Sequence, residues 1–135
     1  MQLVLDTNIV LDLLVFDDPQ AQPIRHGLEA GALRWLATPA MRDELARVLA
    51  YPKLAPRVTF HRGNAEAVLV DFDRHAVLHE PPAKAPVTCG DPDDQKFIDL
   101  AVAHRCALLS KDFEVLRMRK RLAQLQVLAL SCWAS

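Results

Sequence analysis

Glycine is scarce in this chain, with 4 in 135 residues, and no internal repeat or low-complexity stretch is present. Collagen-like, repeat-array and low-complexity classes are therefore excluded, and a hydrophobic content of 51% is enough to build a core. Long apolar runs are also missing. The longest, such as Leu13–Phe16, fall far short of a membrane span, and Met1-Gln2 leads into Leu3-Val4-Leu5 without the positive charge of a secretory leader. The cysteines, Cys89, Cys106 and Cys132, are odd in number and have no metal-like spacing, so they read as free thiols of a reducing cytoplasm. Nor is there an excess of one charge: 16 Lys and Arg face 17 Asp and Glu. That excludes a bulk polycation of the histone kind but leaves room for an acidic pocket beside a local basic strip. The length fits a single domain over residues 1–135.

What is present alternates. Leu3, Val4 and Leu5 form an unbroken apolar strand of the sort buried in the centre of a parallel sheet, ending at Asp6. An apolar helix follows over Ile9–Phe16, and Ile24, Leu28 and Ala32 recur at helical spacing before a second strand at Leu33–Ala37. Thr38-Pro39 predicts a helix start with a hydroxyl cap, running to about Ala50. One long helix is then expected over Thr59–His75, a strand over Ala76–His79, a proline-rich loop, and a helix from Asp91-Pro92 to about His104. Cys106–Ser110 and Val127–Leu130 read as the last strands, flanking a loop and helix over Lys111–Gln124. This order predicts a three-layer α/β/α sandwich around a central, mainly parallel sheet of about five strands. In such folds ligands bind outside the carboxyl ends of the strands, so the residues just after each strand are the place to look for chemistry.

Four carboxylates stand in informative positions. Asp6 closes the first strand, and Asp112 lies two residues past Ser110. Glu44 falls within the apolar stripe Met41, Leu45, Val48 and Leu49 instead of opposite it, and Asp94 heads a face continued by Phe97, Ile98 and Ala101. Singly, each has an ordinary reading: Asp6 as a helix cap, Asp94 as a favourable charge at a helix N-terminus, Glu44 as a partner of Arg42 or Arg47. Together they would repel one another unless a cation neutralised them, and an all-oxygen set selects Mg²⁺ or Mn²⁺ over zinc. Such a site suits phosphoryl-transfer chemistry.

Asp6-Thr7-Asn8 after an N-terminal strand, the helical Glu44, the run Asp91-Pro92-Asp93-Asp94-Gln95-Lys96-Phe97 leading to Ala101, and Ser110-Lys111-Asp112 together resemble a PIN domain. The resemblance spans essentially the whole chain and is closest to PIN-family toxin components of toxin–antitoxin pairs. It implies a metal-dependent endoribonuclease that leaves a 5′-phosphate and a 3′-hydroxyl. Carried over residue by residue, Asp6, Glu44, Asp94 and Asp112 are the implied catalytic and metal-binding acids, with Asn8, Ser110 and Asp91 as supporting polar groups. Asp91, Asp93 and Asp94 compete for the third position. Asp94 is favoured because it alone precedes the buried face, Asp91 being the better cap. The resemblance also implies an antitoxin partner and, with the apolar segments near the chain ends, a homodimer. A two-component receiver or haloacid dehalogenase-like domain also gathers acids and Mg²⁺ at strand ends. The first would want paired acids after strand one and the second Asp-x-Asp, and Asp6-Thr7-Asn8 supplies neither. A non-catalytic PIN module is a further alternative, against which the full set of acids argues.

Within the basic run Arg117–Arg121, one or two helical turns past Asp112, Arg117, Lys120 and Arg121 share a face, which reads as readily as a hold on RNA phosphates as it does as a solvated helix face. Arg57, His61 and Arg62 form a weaker basic patch. His75 and His79 are spaced like a helical zinc pair but have no third ligand nearby and read as surface residues. Cys89 has no histidine base beside it, and Asp12, although on an apolar helix, is left outside the site.

Overall fold

The computed structural model describes residues 1–134. Strands β1 (Gln2–Leu5), β2 (Arg34–Ala37), β3 (Ala76–Leu78), β4 (Ala107–Leu109) and β5 (Ala129–Leu130) pair in the order β3-β2-β1-β4-β5, every pair parallel. Parallel strands need helical crossovers, and these cover both faces of the sheet, giving three layers. Burial on both faces explains why β1, β2 and β4 are unbroken apolar runs: Leu3, Val4, Leu36, Leu108 and Leu109 are all fully buried. Each such leucine or valine contributes roughly 1.5–3 kcal/mol on leaving water.

The connecting helices are α1 (Thr7–Leu14), α2 (Gln22–Glu29), α3 (Pro39–Leu49), α4 (Ala55–Arg62), α5 (Ala65–His75), α6 (Gln95–His104), α7 (Phe113–Leu116) and α8 (Arg119–Gln124). Short 3-10 turns precede α2 and α6 at Pro19–Ala21 and Pro92–Asp94. Two stretches expected to be single helices are split. The expected helix Thr59–His75 breaks at Gly63, whose φ of 85° is open to glycine and strained for other residues, and Asn64 then caps α5 by accepting from the Ala67 amide at 2.9 Å. Similarly, the stretch after Lys111 breaks between Leu116 and Arg119, so α7 and α8 are separate short helices. Thr38 does occupy the cap position of α3, but its side chain makes no cap hydrogen bond.

Successive strands run outward from β1 to β2 and β3, after which the chain crosses back through α6 to place β4 on the other side of β1. The order therefore reverses between β1 and β4, and a crevice opens outside the carboxyl ends of strands at such a switch point. The Asp6 amide donating to the Leu109 carbonyl at 2.9 Å ties the two strand ends together there. Helix α6 packs against both strands, with Phe97, Ile98, Leu100 and Ala101 buried, and this brings its N-terminus to the same edge.

Candidate metal centre

Three of the four acids meet at this edge. One carboxylate oxygen from each of Asp6, Asp94 and Asp112 lies within 4.8 Å of the other two. Asp6 and Asp94 are buried, at 4% and 7% exposure, and Asp112 is half-buried. Asp6 sits at the N-cap of α1 in extended geometry, yet its side chain makes no cap hydrogen bond. Its Oδ2 instead accepts from the Ser110 hydroxyl at 2.5 Å and from Asn8 Nδ2 at 3.4 Å. The capping role that the sequence allows for Asp6 is thus filled by its backbone carbonyl alone, which accepts from Ile9 and Val10, leaving the carboxylate turned to the crevice.

Ser110 links two of the acids. It is fully buried, donates to Asp6 and accepts from the Asp112 amide at 3.0 Å. Asp112 in turn caps α7, its Oδ1 accepting from the Glu114 amide at 2.9 Å. Asn8 bridges toward the same loop, its Oδ1 accepting from the Lys111 amide at 3.2 Å. Asp94 also has no capping bond to α6, and its Oδ2 is buried without a partner. Asp91 takes the capping role, accepting from the Asp93 amide at 3.0 Å, and Asp93 is exposed. The choice among the three acids of that run thus divides by chemistry: Asp91 caps, Asp93 faces water, and Asp94 enters the cluster.

Electrostatics mark the cluster as uncompensated. Burial, then its carboxyl contact with Asp112, then the charges of Asp6, Asp112 and Asp91 push the Asp94 carboxyl up to about 8. Burial likewise raises Asp6, opposed by the Ser110 hydroxyl and the Thr7 backbone and reinforced by Glu44 and Asp112. Among the described residues, no lysine or arginine forms an ion pair with any of the three. Buried like charges of this kind hold protons or recruit a cation. The donor set fits a hard divalent ion: all-oxygen, with an orphaned Asp94 Oδ2 pointing to a missing partner.

Glu44 is not in this group. It is held beside it, with Oε1 accepting from Lys96 Nζ at 2.8 Å and Oε2 from the Thr7 hydroxyl. The partners that the sequence offers it, Arg42 and Arg47, are not used; Arg42 makes a two-pronged contact with Asp73 at 2.7 and 2.9 Å. Lys96 also donates to the Asp93 carbonyl. Thr7 and Lys96 both stand inside the motifs read from the sequence, but helical periodicity carries no sign of a lysine reaching an acid 52 positions away. Asp12, left outside the site, forms an ion pair with Lys111 at 2.5 Å and so steadies the Ser110–Asp112 loop.

The remaining candidates fall elsewhere. Arg117, Lys120 and Arg121 are exposed, but the break before α8 removes the continuous helix that placed them on one face. A depression of about 470 Å³ is lined by Phe113, Leu116, Arg117, Arg119 and Lys120, with Arg119 and not Arg121 in it. In the second basic patch Arg62 is spent internally, on Asp71 at 2.6 Å and on the Leu14 carbonyl. His79 packs against His104, ring centroids 4.7 Å apart, rather than pairing with His75, and both His75 and His79 are half-buried, not surface residues. Cys89 is buried with its thiol pushed up by burial, which suits an inert thiol.

The sequence model of the PIN domain matches residues 2–114, from the first strand through Asp112. The chain belongs to the PIN-domain family. No curated protein matches it. PIN domains are generally nucleases that use Mg²⁺ or Mn²⁺, and in this PIN domain Asp6, Asp94 and Asp112 form a group able to bind a metal ion. Membership also leaves the receiver and dehalogenase-like readings without support. No helix among the described residues is long and apolar enough to cross a membrane.

Proposed function

We propose that this PIN domain, a single domain over residues 1–135, is a metal-dependent endoribonuclease that hydrolyses RNA phosphodiester bonds. We further read it as the cytoplasmic toxin of a type II toxin–antitoxin pair. The observation that carries the nuclease reading is the carboxylate trio without a cation of its own at the switch point of a parallel sheet. Asp6, Asp94 and Asp112 would hold Mg²⁺ or Mn²⁺, which when bound supplies Lewis acidity to a phosphoryl oxygen and makes water nucleophilic near neutral pH. Ser110 and Asn8 hold the Asp6 carboxylate in one orientation, so little reorganisation remains when the site loads. Asp112 is similarly held by its cap on α7. Burial and the contact with Asp112 favour the protonated Asp94 carboxyl in the metal-free protein, and a bound cation would favour the charged form. Glu44, one shell out in this geometry, adds negative field at Asp6 while Lys96 limits it. The exposed Arg117, Lys120 and Arg121 supply phosphate contacts for the RNA backbone.

The toxin role and its antitoxin rest on the resemblance of the four motifs. A homodimer is supported further by exposed apolar side chains such as Leu128, 53% exposed, near the chain end. Light scattering that shows a monomer at high concentration would remove the dimer, and unimpaired growth on expression of active protein would count against the toxin. The nuclease reading is tested by RNA cleavage with Mg²⁺ or Mn²⁺: the unsubstituted chain is expected to cut, and Asp6→Asn, Asp94→Asn and Asp112→Asn are each expected not to. Wild-type rates from Asp94→Asn would overturn it.

A further inference from the structure

Two depressions on the molecule differ in what their cations are doing. The larger, about 580 Å³, holds Arg25 and Arg62, but both are tied to backbone carbonyls and to Asp17 and Asp71, leaving little positive charge for a ligand. The depression of about 470 Å³ beside α7 and α8 is different. Among the described residues Arg119 and Lys120 make no ion pair, and Arg117 has only a loose one, to Glu114 at 3.5 Å. Its aromatic member, Phe113, is 68% exposed and follows Asp112 directly in the chain. The Arg117 guanidinium lies 5.7 Å from the centre of the Phe113 ring, a cation–π contact that restrains the ring at the rim.

One exposed phenylalanine is ordinary on a protein surface. Here the ring is joined to a concavity, to three cations and to a residue of the carboxylate trio. A flat apolar face with unpaired cations matches the alternation of base and phosphate in a nucleic acid strand. An acidic or apolar peptide would use the cations or the ring but would leave the other unmatched. Bases in a duplex are stacked on one another and offer no free face, so the ligand must be single-stranded at this point.

We propose that this depression is a nucleotide subsite in which a base of single-stranded RNA stacks on Phe113 while Arg119 and Lys120 hold the adjoining phosphates. The inference rests on the ribonuclease reading for its class of ligand. Arg119 thereby joins Arg117 and Lys120 as a candidate for holding phosphates, and Arg121, which does not line the depression, takes no part in this subsite.

The test uses the full chain carrying Asp6→Asn, so that RNA stays intact, with a short labelled single strand and the same strand annealed to its complement. Adding Phe113→Ala is expected to weaken single-strand binding by roughly tenfold, in line with the loss of one stacked base, with no change for the duplex. Phe113→Trp is expected to bind the single strand at least as tightly as the parent. The slope of log affinity against log salt should be the same in all three, because every phosphate is still held. Equal single-strand affinity in Phe113→Ala overturns the subsite and leaves the face to a protein partner, as does an equal loss on duplex. Weaker binding by Phe113→Trp also counts against it. Cleavage by the unsubstituted chain is scored separately. Phe113-dependent binding without cleavage sinks the nuclease reading and keeps the subsite; cleavage with Phe113-independent binding does the reverse.

Discussion

Two groups of acids lie side by side in this molecule and have opposite fates. Glu44 stands on the inward side of α3 and is neutralised within the chain, by Lys96 at 2.8 Å and the Thr7 hydroxyl. Asp6, Asp94 and Asp112 lie around one point with no basic partner among the described residues, the buried Asp94 Oδ2 is left without a hydrogen bond, and Asp94 is pushed up to about 8. Glu44 and Asp94 are turned inward by the apolar periodicity of their helices, and Asp6 and Asp112 are brought to the same edge by the strands they follow. What separates them is compensation, and a buried carboxylate that the chain does not compensate marks where an external cation goes.

The largest expected effect comes from breaking the uncompensated side. Asp94→Asn should reduce cleavage by more than the roughly 10–100-fold typical of residues that only support a metal ligand. Without metal it should also raise the melting temperature, because it removes one charge from a repelling group. An Asp94→Asn chain that melts lower than the parent in metal-free buffer would contradict the repulsion.

A pH series on the metal-free protein sharpens the same point. Asp94 titrates at about 8 in the folded chain against an ordinary 3.8, so between those values the folded form keeps a proton that the unfolded form has lost. Stability should therefore fall as pH rises from about 4 to about 8 and then level off. Burial raises Asp6 in the same direction. Denaturant melts across this range should show the fall in the parent and a flatter profile in Asp94→Asn; a rise of stability with pH would reverse the assignment.

For the residues that position the acids the effects are smaller. Lys96→Met leaves the Glu44 charge unmatched beside the trio, and Ser110→Ala frees the Asp6 carboxylate to turn. Each should cost about 10–100-fold in cleavage, as for other residues that position a ligand. Steady-state kinetics would check it, and a Lys96→Met effect as large as that of Asp94→Asn would erase the distinction between the two groups. The smallest effect belongs to the residues that hold phosphates. Reversing Arg117, Lys120 and Arg121 to glutamate should flatten the salt dependence of RNA binding by about 0.7 for each phosphate no longer held, roughly two units if all three touch phosphate. If Arg119 stands in for Arg121, as the depression beside Phe113 implies, the change is nearer one and a half units, about 0.7 for each of Arg117 and Lys120.

The legible and illegible parts of this fold divide along physical lines. The strands β1, β2 and β4 were readable because a strand buried on both faces is an unbroken apolar run, and their alternation with helices implied the parallel order. Asp6, Asp94 and Asp112 were readable because two follow strands and one heads a buried helical face. Glu44 is turned inward as its place in the apolar stripe implies, but its partner was not legible, since a contact across 52 residues leaves no local periodicity. The breaks at Gly63 and between α7 and α8 escaped for the opposite reason: they depend on one or two residues inside otherwise helical composition. Grouping Arg121 with Arg117 and Lys120 depends on a continuous helix, and with that second break it is Phe113 and Arg119 that share the depression with them.

The central claim is that the trio, and not Glu44, is where the divalent ion is held. Calorimetric titration of Mn²⁺ into the metal-free chain, Asp94→Asn and Glu44→Gln tests it most directly. The account predicts saturable binding to the parent, retained with modest weakening in Glu44→Gln and abolished in Asp94→Asn. Binding of Asp94→Asn as tight as the parent's, or an equal loss in Glu44→Gln, would contradict it.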